Sequence, residues 1–299
     1  MSEREIEAKY VDLHCHGGAG FYFSDRDPSN IQLAIEFHRS HGTKSLLASL
    51  VTERISDLEE QIVRLVPFYQ TGAIAGIHLE GPYLARARCG AHNPNLLKTP
   101  NLVEVQKLIE IGEGAIKMIT IAPELDNALD VISYLSRNYV IPAIGHSDGN
   151  YEDALRAVEA GAGIVTHFSN GMSKLRDGSK TFATALLHES QIPLELIVDG
   201  HHVNEHDVHS VVEVAGDRIV LVTDAMAATG QPDGIYSIGD LEVVVTSGIA
   251  RLSSNGALAG STLTMQQAVD KARGFEIPEE VIRNAALALP TKLLDRTRQ

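Results

Sequence analysis

Tyr10-Val11-Asp12-Leu13-His14-Cys15-His16 decides how this chain is read: a short, mostly apolar run of the kind that forms a buried strand stops on two imidazoles. Seven further runs of the same type predict strands over Lys44 to Ser49, Ile74 to Leu79, Met118 to Ile121, Ile141 to Ile144, Gly163 to Thr166, Leu194 to Val198 and Ile219 to Thr223. Four of these also end on a side chain able to hold a metal: Glu80, His146, His167 and Asp224. Residues so far apart can share one ion only if the fold gathers the strand ends. A parallel (β/α)8 barrel does so at its C-terminal rim.

Working outward, most of the runs are nearly continuous in apolar residues instead of alternating, as parallel strands covered on both faces require. Helical periodicity fills the gaps, over Ile31 to Arg39, Ser56 to Tyr69, Leu102 to Ile111, Ala128 to Arg137, Glu152 to Glu159, Thr184 to Glu189 and Glu205 to Val214. Pro28-Ser29 and Asn204 read as start signals for the first and last of these helices. Strand and helix alternate as far as Asp224, which predicts an α/β fold, a (β/α)8 TIM-type barrel with a metal site at its C-terminal rim. Beyond it, Tyr236 to Val245 and Gly248 to Leu252 read as a hairpin turned at Thr246-Ser247-Gly248. Helices are expected near Thr262 to Arg273 and Pro278 to Leu287. With no repeat, low-complexity tract or linker, residues 1–299 read as one domain.

Composition narrows the partners. The chain has 299 residues, 44% of them hydrophobic and 21% charged, the profile of a globular protein with a full core. Its formal charge of −14 argues against nucleic acid and anionic membranes as partners, because both demand a basic surface. The two cysteines, Cys15 and Cys89, stand in no paired spacing, and no run is long enough to span a bilayer. A cytoplasmic address is the expectation.

At the strand ends, His14 and His16 are two apart on extended backbone and so point to one side, where they can chelate one ion or form a hydrogen-bonded structural pair. Glu80, held at the rim by Gly81-Pro82, can bind one metal, bridge two, or serve as a buried salt-bridge partner. His146 and His167 end successive strands about 4.8 Å apart, close enough to meet at an ion with N–metal distances of about 2.0–2.1 Å. Either alone would pass for a core or capping histidine. Asp224 can take a proton from a water held by a divalent metal and pass it to a leaving nitrogen, or cap a helix. The catalytic reading supplies the base that the metal set otherwise lacks.

Carried together and in order, several stretches resemble the amidohydrolase superfamily and, within it, the N-acetylglucosamine-6-phosphate deacetylases. They are His14-Cys15-His16-Gly17-Gly18, His78-Leu79-Glu80-Gly81-Pro82, Ala91-His92-Asn93-Pro94-Asn95, Gly145-His146-Ser147, Thr166-His167 with Asn170 and Met172, Asp199-Gly200-His201-His202-Val203, Leu221 to Ala225, and Leu258 to Met265. The resemblance implies hydrolysis of the acetamide of a phosphorylated amino sugar. It implies a principal divalent metal on Glu80, His146 and His167, with His14 and His16 serving a second ion, so that one or two ions of zinc, iron, manganese or cobalt are expected. It makes Asp224 the general base and His92 the group that polarises the amide carbonyl. Asn170, Gly171 and His202 match sugar-phosphate contacts, and Ala91, Asp199 and Leu258, Ala259 and Gly260 the rest of that pocket. The partner implied is a small-molecule sugar phosphate, and the assembly a homodimer.

The chain departs from that pattern in three places. Only about ten residues precede the first strand, so the family's small β-sandwich is expected to be largely absent. The family's Asn-Ala-Met is Asn170-Gly171-Met172, and the position of its phosphate-binding arginine holds Gly178, which leaves Arg176 or Lys180 to take that part. His201 stands where an apolar residue is usual. Two alternatives remain: a related amidohydrolase for a cyclic amide or an N-acyl amino acid, and a non-catalytic barrel that binds metal or sugar phosphate.

Overall fold

A computed structural model describes residues 9–175 and 180–297. Eight strands pair in parallel and in sequence order: β1 (Tyr10–Cys15), β2 (Thr43–Leu50), β3 (Gly76–Glu80), β4 (Ile116–Ile121), β5 (Ile141–Ile144), β6 (Ile164–Val165), β7 (Leu194–Leu196) and β8 (Ile219–Leu221). Seven helices alternate with them: α1 (Pro28–Ser40), α2 (Ile55–Gln70), α3 (Leu102–Ile111), α4 (Ala128–Arg137), α5 (Tyr151–Glu159), α6 (Phe182–His188) and α7 (Glu205–Ala215). This is the expected (β/α)8 barrel.

Closure between the last strand and the first is made just past the end of β8. Asp224 N–H donates to His14 O at 2.8 Å, and His16 N–H donates to Ala225 O at 2.8 Å. Asp12 seals the same seam from a side chain, since its carboxylate accepts from Thr223 Oγ1 at 2.6 Å and from Thr223 N–H at 3.2 Å. Burial pushes the Asp12 carboxyl up to about 6. The seam therefore holds a carboxylate in a place that penalises its charge.

The barrel interior is layered. Strand alternation puts Met118 on the face of Thr120 and Ile164 on that of Thr166, and these apolar side chains cluster with Leu47, Ala143 and Val220 as a floor. Above it runs a polar belt. Ser49 Oγ meets His78 Nδ1 at 3.0 Å, His78 Nε2 meets Thr120 Oγ1 at 2.8 Å, and Thr120 Oγ1 meets Thr166 Oγ1 at 2.8 Å. Each member of this buried belt is satisfied by the next, which removes the usual cost of burying polar groups. His78 thus shares a face with Glu80, as alternation predicts, but belongs to the belt.

Local signals account for the helix starts, with one correction. Asn204 caps α7 by accepting from Asp207 N–H, yet α1 is capped by Asp27, not by Pro28-Ser29. Asp27 accepts from Ser29 N–H while Pro28 occupies the first turn, where a missing N–H costs nothing. The run Tyr236 to Val245 is also not one strand. It breaks at Gly239-Asp240 into β9 (Gly234–Ile238) and β10 (Leu241–Thr246), and β10 turns through Ser247-Gly248, both at positive φ, into β11 (Ile249–Leu252). Gly239 at φ +54° is the physical reason for the break.

Among the described residues, β structure outside the barrel is this three-stranded sheet and a two-residue hairpin of Gly17–Gly18 with Phe21–Tyr22. Two helical segments end the described chain. The first is α8 (Met265–Gly274), begun by a capping box at Thr264 and Gln267. The second runs from α9 (Glu279–Arg283) through a π turn at Asn284–Ala288 into α10 (Leu289–Asp295), beyond the expected end at Leu287. No described helix is long and apolar enough to cross a membrane.

His38 on α1 locks the first helix to the first strand, its Nε2–H donating to Gly17 O at 2.8 Å while Cys15 Sγ lies 3.3 Å from the same nitrogen. Burial lowers its pKa from 6.5 to about 4. A depressed histidine stabilises the fold fully above the unfolded value and loses that contribution as pH falls from 6.5 through 4. The expected size is about 3 kcal/mol. Urea unfolding of metal-free protein should show His38→Gln narrowing the stability difference between pH 7 and pH 4.5; parallel losses in parent and variant would contradict this.

Candidate functional site

Glu80, the last residue of β3, stands at the centre of the rim. Its Oε1 lies 3.0 Å from His167 Nε2, 3.1 Å from His146 Nε2 and 3.5 Å from His14 Nε2. Its Oε2 lies 3.2 Å from His16 Nε2 and 3.3 Å from His92 Nε2. From the opposite side Asp224 Oδ1 approaches His14 Nε2 at 3.4 Å and His16 Nε2 at 3.2 Å. The paired nitrogens are as close: 3.0 Å for His146 and His167, and 3.1 Å for His14 and His16. The strand ends do converge.

The backbone is bent to achieve this. His146, His167 and Asp224 have φ of +47°, +25° and +50°, a region that side chains other than glycine rarely adopt. Each costs on the order of 1–3 kcal/mol, and such outliers gather where a site over-determines its residues. After Glu80 the chain turns through Gly81 at φ +93°, where a Cβ would sit 2.3 Å from Thr52 Oγ1. Only glycine fits there.

Hydrogen bonds sort the imidazoles into two kinds. His146 Nδ1–H donates to Arg88 O at 2.8 Å, and His14 Nδ1–H donates to Glu195 Oε2 at 3.1 Å. Both therefore turn an Nε2 lone pair toward the centre, as a ligand must. In His92 the order is reversed, because Nδ1 accepts from Thr52 N–H at 3.2 Å and leaves the proton on Nε2. Although Glu80, His92 and His146 are close enough to share an ion, His92 is oriented as a donor.

Within the cluster the buried charges set one another's protonation. Burial acts to raise Glu80 and Asp224, but it is outweighed: His14 and His92 hold the Glu80 carboxyl well below its usual range, and His14 and His16 draw Asp224 down to about 2. Burial acts to lower His14 and His16, and here too the facing carboxylates win and raise both. His92 is lowered to about 4, since burial exceeds the pull of Glu80, and so stays neutral.

Imidazole and carboxylate atoms about 3 Å apart are spaced like neighbouring ligands of one ion bonded at about 2.0–2.2 Å. Nε2 of His146, Nε2 of His167 and Oε1 of Glu80 form one such set, and His14, His16 and Glu80 form another, sharing the carboxylate. Lone pairs this close repel unless a proton or a metal cation lies between them. The donor set fits one or two divalent metals.

No protein-family model matches the chain. An N-acetylgalactosamine-6-phosphate deacetylase of Escherichia coli O157:H7 is 35% identical over 276 residues, 90% of this chain and 73% of that protein. An N-acetylglucosamine-6-phosphate deacetylase of Lysinibacillus sphaericus is 35% identical over 270 residues, 88% of this chain and 69% of that protein. The Mycobacterium smegmatis N-acetyl-D-glucosamine-6-phosphate deacetylase, solved as a mutant with N-acetyl-D-glucosamine-6-phosphate, has a TM-score of 0.92 at 37% identity, over 96% of this chain and 77% of that one. The chain belongs to the N-acetylglucosamine-6-phosphate deacetylase family. Its members are amidohydrolases that cut an amide C–N bond.

A cavity of about 210 Å³ opens over the cluster. Ala91, Asn170, Gly171, His202, Leu258 and Gly260, all expected to contact substrate in this family, line it along with His92 and Asp224. Two expected wall residues do not. Ala259 is fully buried behind its neighbours in the apolar cluster under the three-stranded sheet. Asp199 clamps His202 instead, its Oδ2 accepting from His202 Nδ1–H at 2.6 Å and its Oδ1 from the backbone N–H groups of His201 and His202. That clamp leaves His202 Nε2 for the cavity.

Of the two candidate phosphate cations, Arg176 lies outside the described residues, and Lys180 is exposed with Nζ 5.9 Å over the Tyr151 ring. Sequence reasoning missed Gly90, Ile238 and Ala257 in the wall, Thr52 behind His92, and Glu195 beneath His14. Glu195 had a signal: an acid inside the apolar run Leu194-Glu195-Leu196 must face something that balances it. The other four had none.

Glu80→Gln keeps the shape of the shared ligand and removes its charge. Elemental analysis of parent and variant purified side by side should show most of the divalent metal gone from the variant; equal metal content would mean that the ions sit elsewhere.

Proposed function

We propose that this chain hydrolyses the acetamide of N-acetylglucosamine 6-phosphate to glucosamine 6-phosphate and acetate. The observation that carries the reading is the placing of a proton acceptor, Asp224, and a neutral proton donor, His92, around one ligand cluster in one cavity. In this reading Glu80, His146 and His167 hold one divalent ion, and His14 and His16 a second that shares Glu80. A bound ion there supplies Lewis acidity and a nucleophilic water at neutral pH.

The remaining work falls to side chains. Asp224, ionised down to low pH, accepts a proton from the attacking water and returns it to the leaving nitrogen. His92 donates its Nε2–H to the amide oxygen as negative charge builds there, and its low pKa keeps that donor neutral at working pH. Asn170, Gly171 and His202 take the sugar phosphate. Asp199 acts through His202, holding its ring so that Nε2 faces the phosphate.

Among the described residues the cavity wall contains no lysine or arginine. A phosphate dianion calls for a further cation, which Arg176, Lys180 or the second subunit of a homodimer would supply. Two free cysteines, Cys15 buried and Cys89 half-buried, suit a cytoplasmic setting.

Acetate release from N-acetylglucosamine 6-phosphate tests the reaction, with the galacto epimer, the substrate named for the E. coli relative, as comparison. Asp224→Asn should lower kcat by about 10²–10⁴-fold with KM within a few-fold. A metal-loaded parent inert on both epimers, or an Asp224→Asn variant of unchanged kcat, would overturn the proposal.

A further inference from the structure

Glu195 is fully buried in the middle of β7, below the cluster and outside the cavity wall. One of its oxygens does two things at once. Oε2 accepts from His14 Nδ1–H at 3.1 Å and from the backbone N–H of His167 at 3.1 Å. The other, Oε1, has no hydrogen-bond partner. A fully buried carboxylate with one oxygen unpaired is costly to keep ionised, so something positive must balance it.

The belt around it does not supply that charge. His78, 4.6 Å from the His14 ring by centroid, spends both ring nitrogens on Ser49 and Thr120. No lysine or arginine is bonded to Glu195 among the described residues. What faces it is His14, whose other nitrogen joins the ligand cluster.

We propose that Glu195 is a positioning residue for metal binding. This rests on the reading of the rim as a divalent-metal centre, and it assigns to Glu195 two tasks within that centre. Accepting from Nδ1 holds His14 in the tautomer that exposes the Nε2 lone pair and makes that nitrogen a stronger donor. Accepting from His167 N–H anchors the backbone of a ligand residue held at φ +25°. One carboxylate oxygen thus couples a ligand on β1 to one just past β6, two rings that stack 5.5 Å apart beside Glu80 Oε1.

The test is metal binding by folded protein, read as equivalents per chain by elemental analysis and as affinity by chelator competition with zinc and with cobalt. Glu195→Gln keeps shape and acceptor but removes the charge, and is expected to bind the His14-side ion about 10–100-fold more weakly. Glu195→Asp keeps the charge and withdraws it from His14 by one methylene, and should weaken the same ion. A carboxylate kept only for packing would leave metal affinity unmoved in both variants, and that result would overturn the proposal. Failure of both variants to fold with metal supplied, while metal-free parent folds normally, would overturn it too, because Glu195 would then serve the fold alone. Metal-free behaviour of the parent under every loading condition would instead defeat the metal reading itself.

Discussion

Four imidazole nitrogens and two carboxylates crowd the barrel mouth, each within about 3.5 Å of at least one other, and the rest of the structure is arranged to make that tolerable. Lone pairs at such separations repel, and burial deprives them of water. Two sources of relief are visible. Opposite charges are interleaved, with Glu80 between the histidine pairs and Asp224 closing the far side. The geometry also leaves room for a divalent ion wherever three donors converge, which would convert the repulsion into coordination.

Holding such a cluster requires a rigid support, and the barrel provides it in layers. An apolar floor fills the lower interior, a belt of mutually satisfied polar groups from Ser49 to Thr166 lies above it, and the ligands stand on the belt. The left-handed backbone at His146, His167 and Asp224 is strain that this support sustains, turning each side chain inward as its strand ends. The seam between Asp12 and Thr223 adds to the load, since it too buries a carboxylate against its preference.

Chemical differentiation within the cluster comes from second partners. Seven residues of similar type would be interchangeable in a list, yet Arg88 O and Glu195 turn His146 and His14 into lone-pair donors, whereas the Thr52 amide turns His92 into a proton donor. Asp199 does for His202 what Glu195 does for His14. Both kinds of imidazole line one cavity, His146 turning a lone pair into it and His92 an N–H.

By itself the sequence determined the eight-fold alternation and the rim residues, because buried parallel strands must be apolar along their length and a polar residue at the end of such a run has few reasons to be there. Glu80, His146, His167, His14, His16 and Asp224 were legible on that ground, and the resemblance added His92, Asn170, Gly171 and His202. Tertiary structure alone decided which nitrogen of His14, His92, His146 and His202 carries its proton, that Asp199 braces His202 and Ala259 lies behind the wall, and that Ile238 reaches the cavity from a three-stranded sheet and Ala257 from the loop after it. Tautomers and walls depend on what lies opposite a side chain in space. A linear pattern records only which residues precede and follow it.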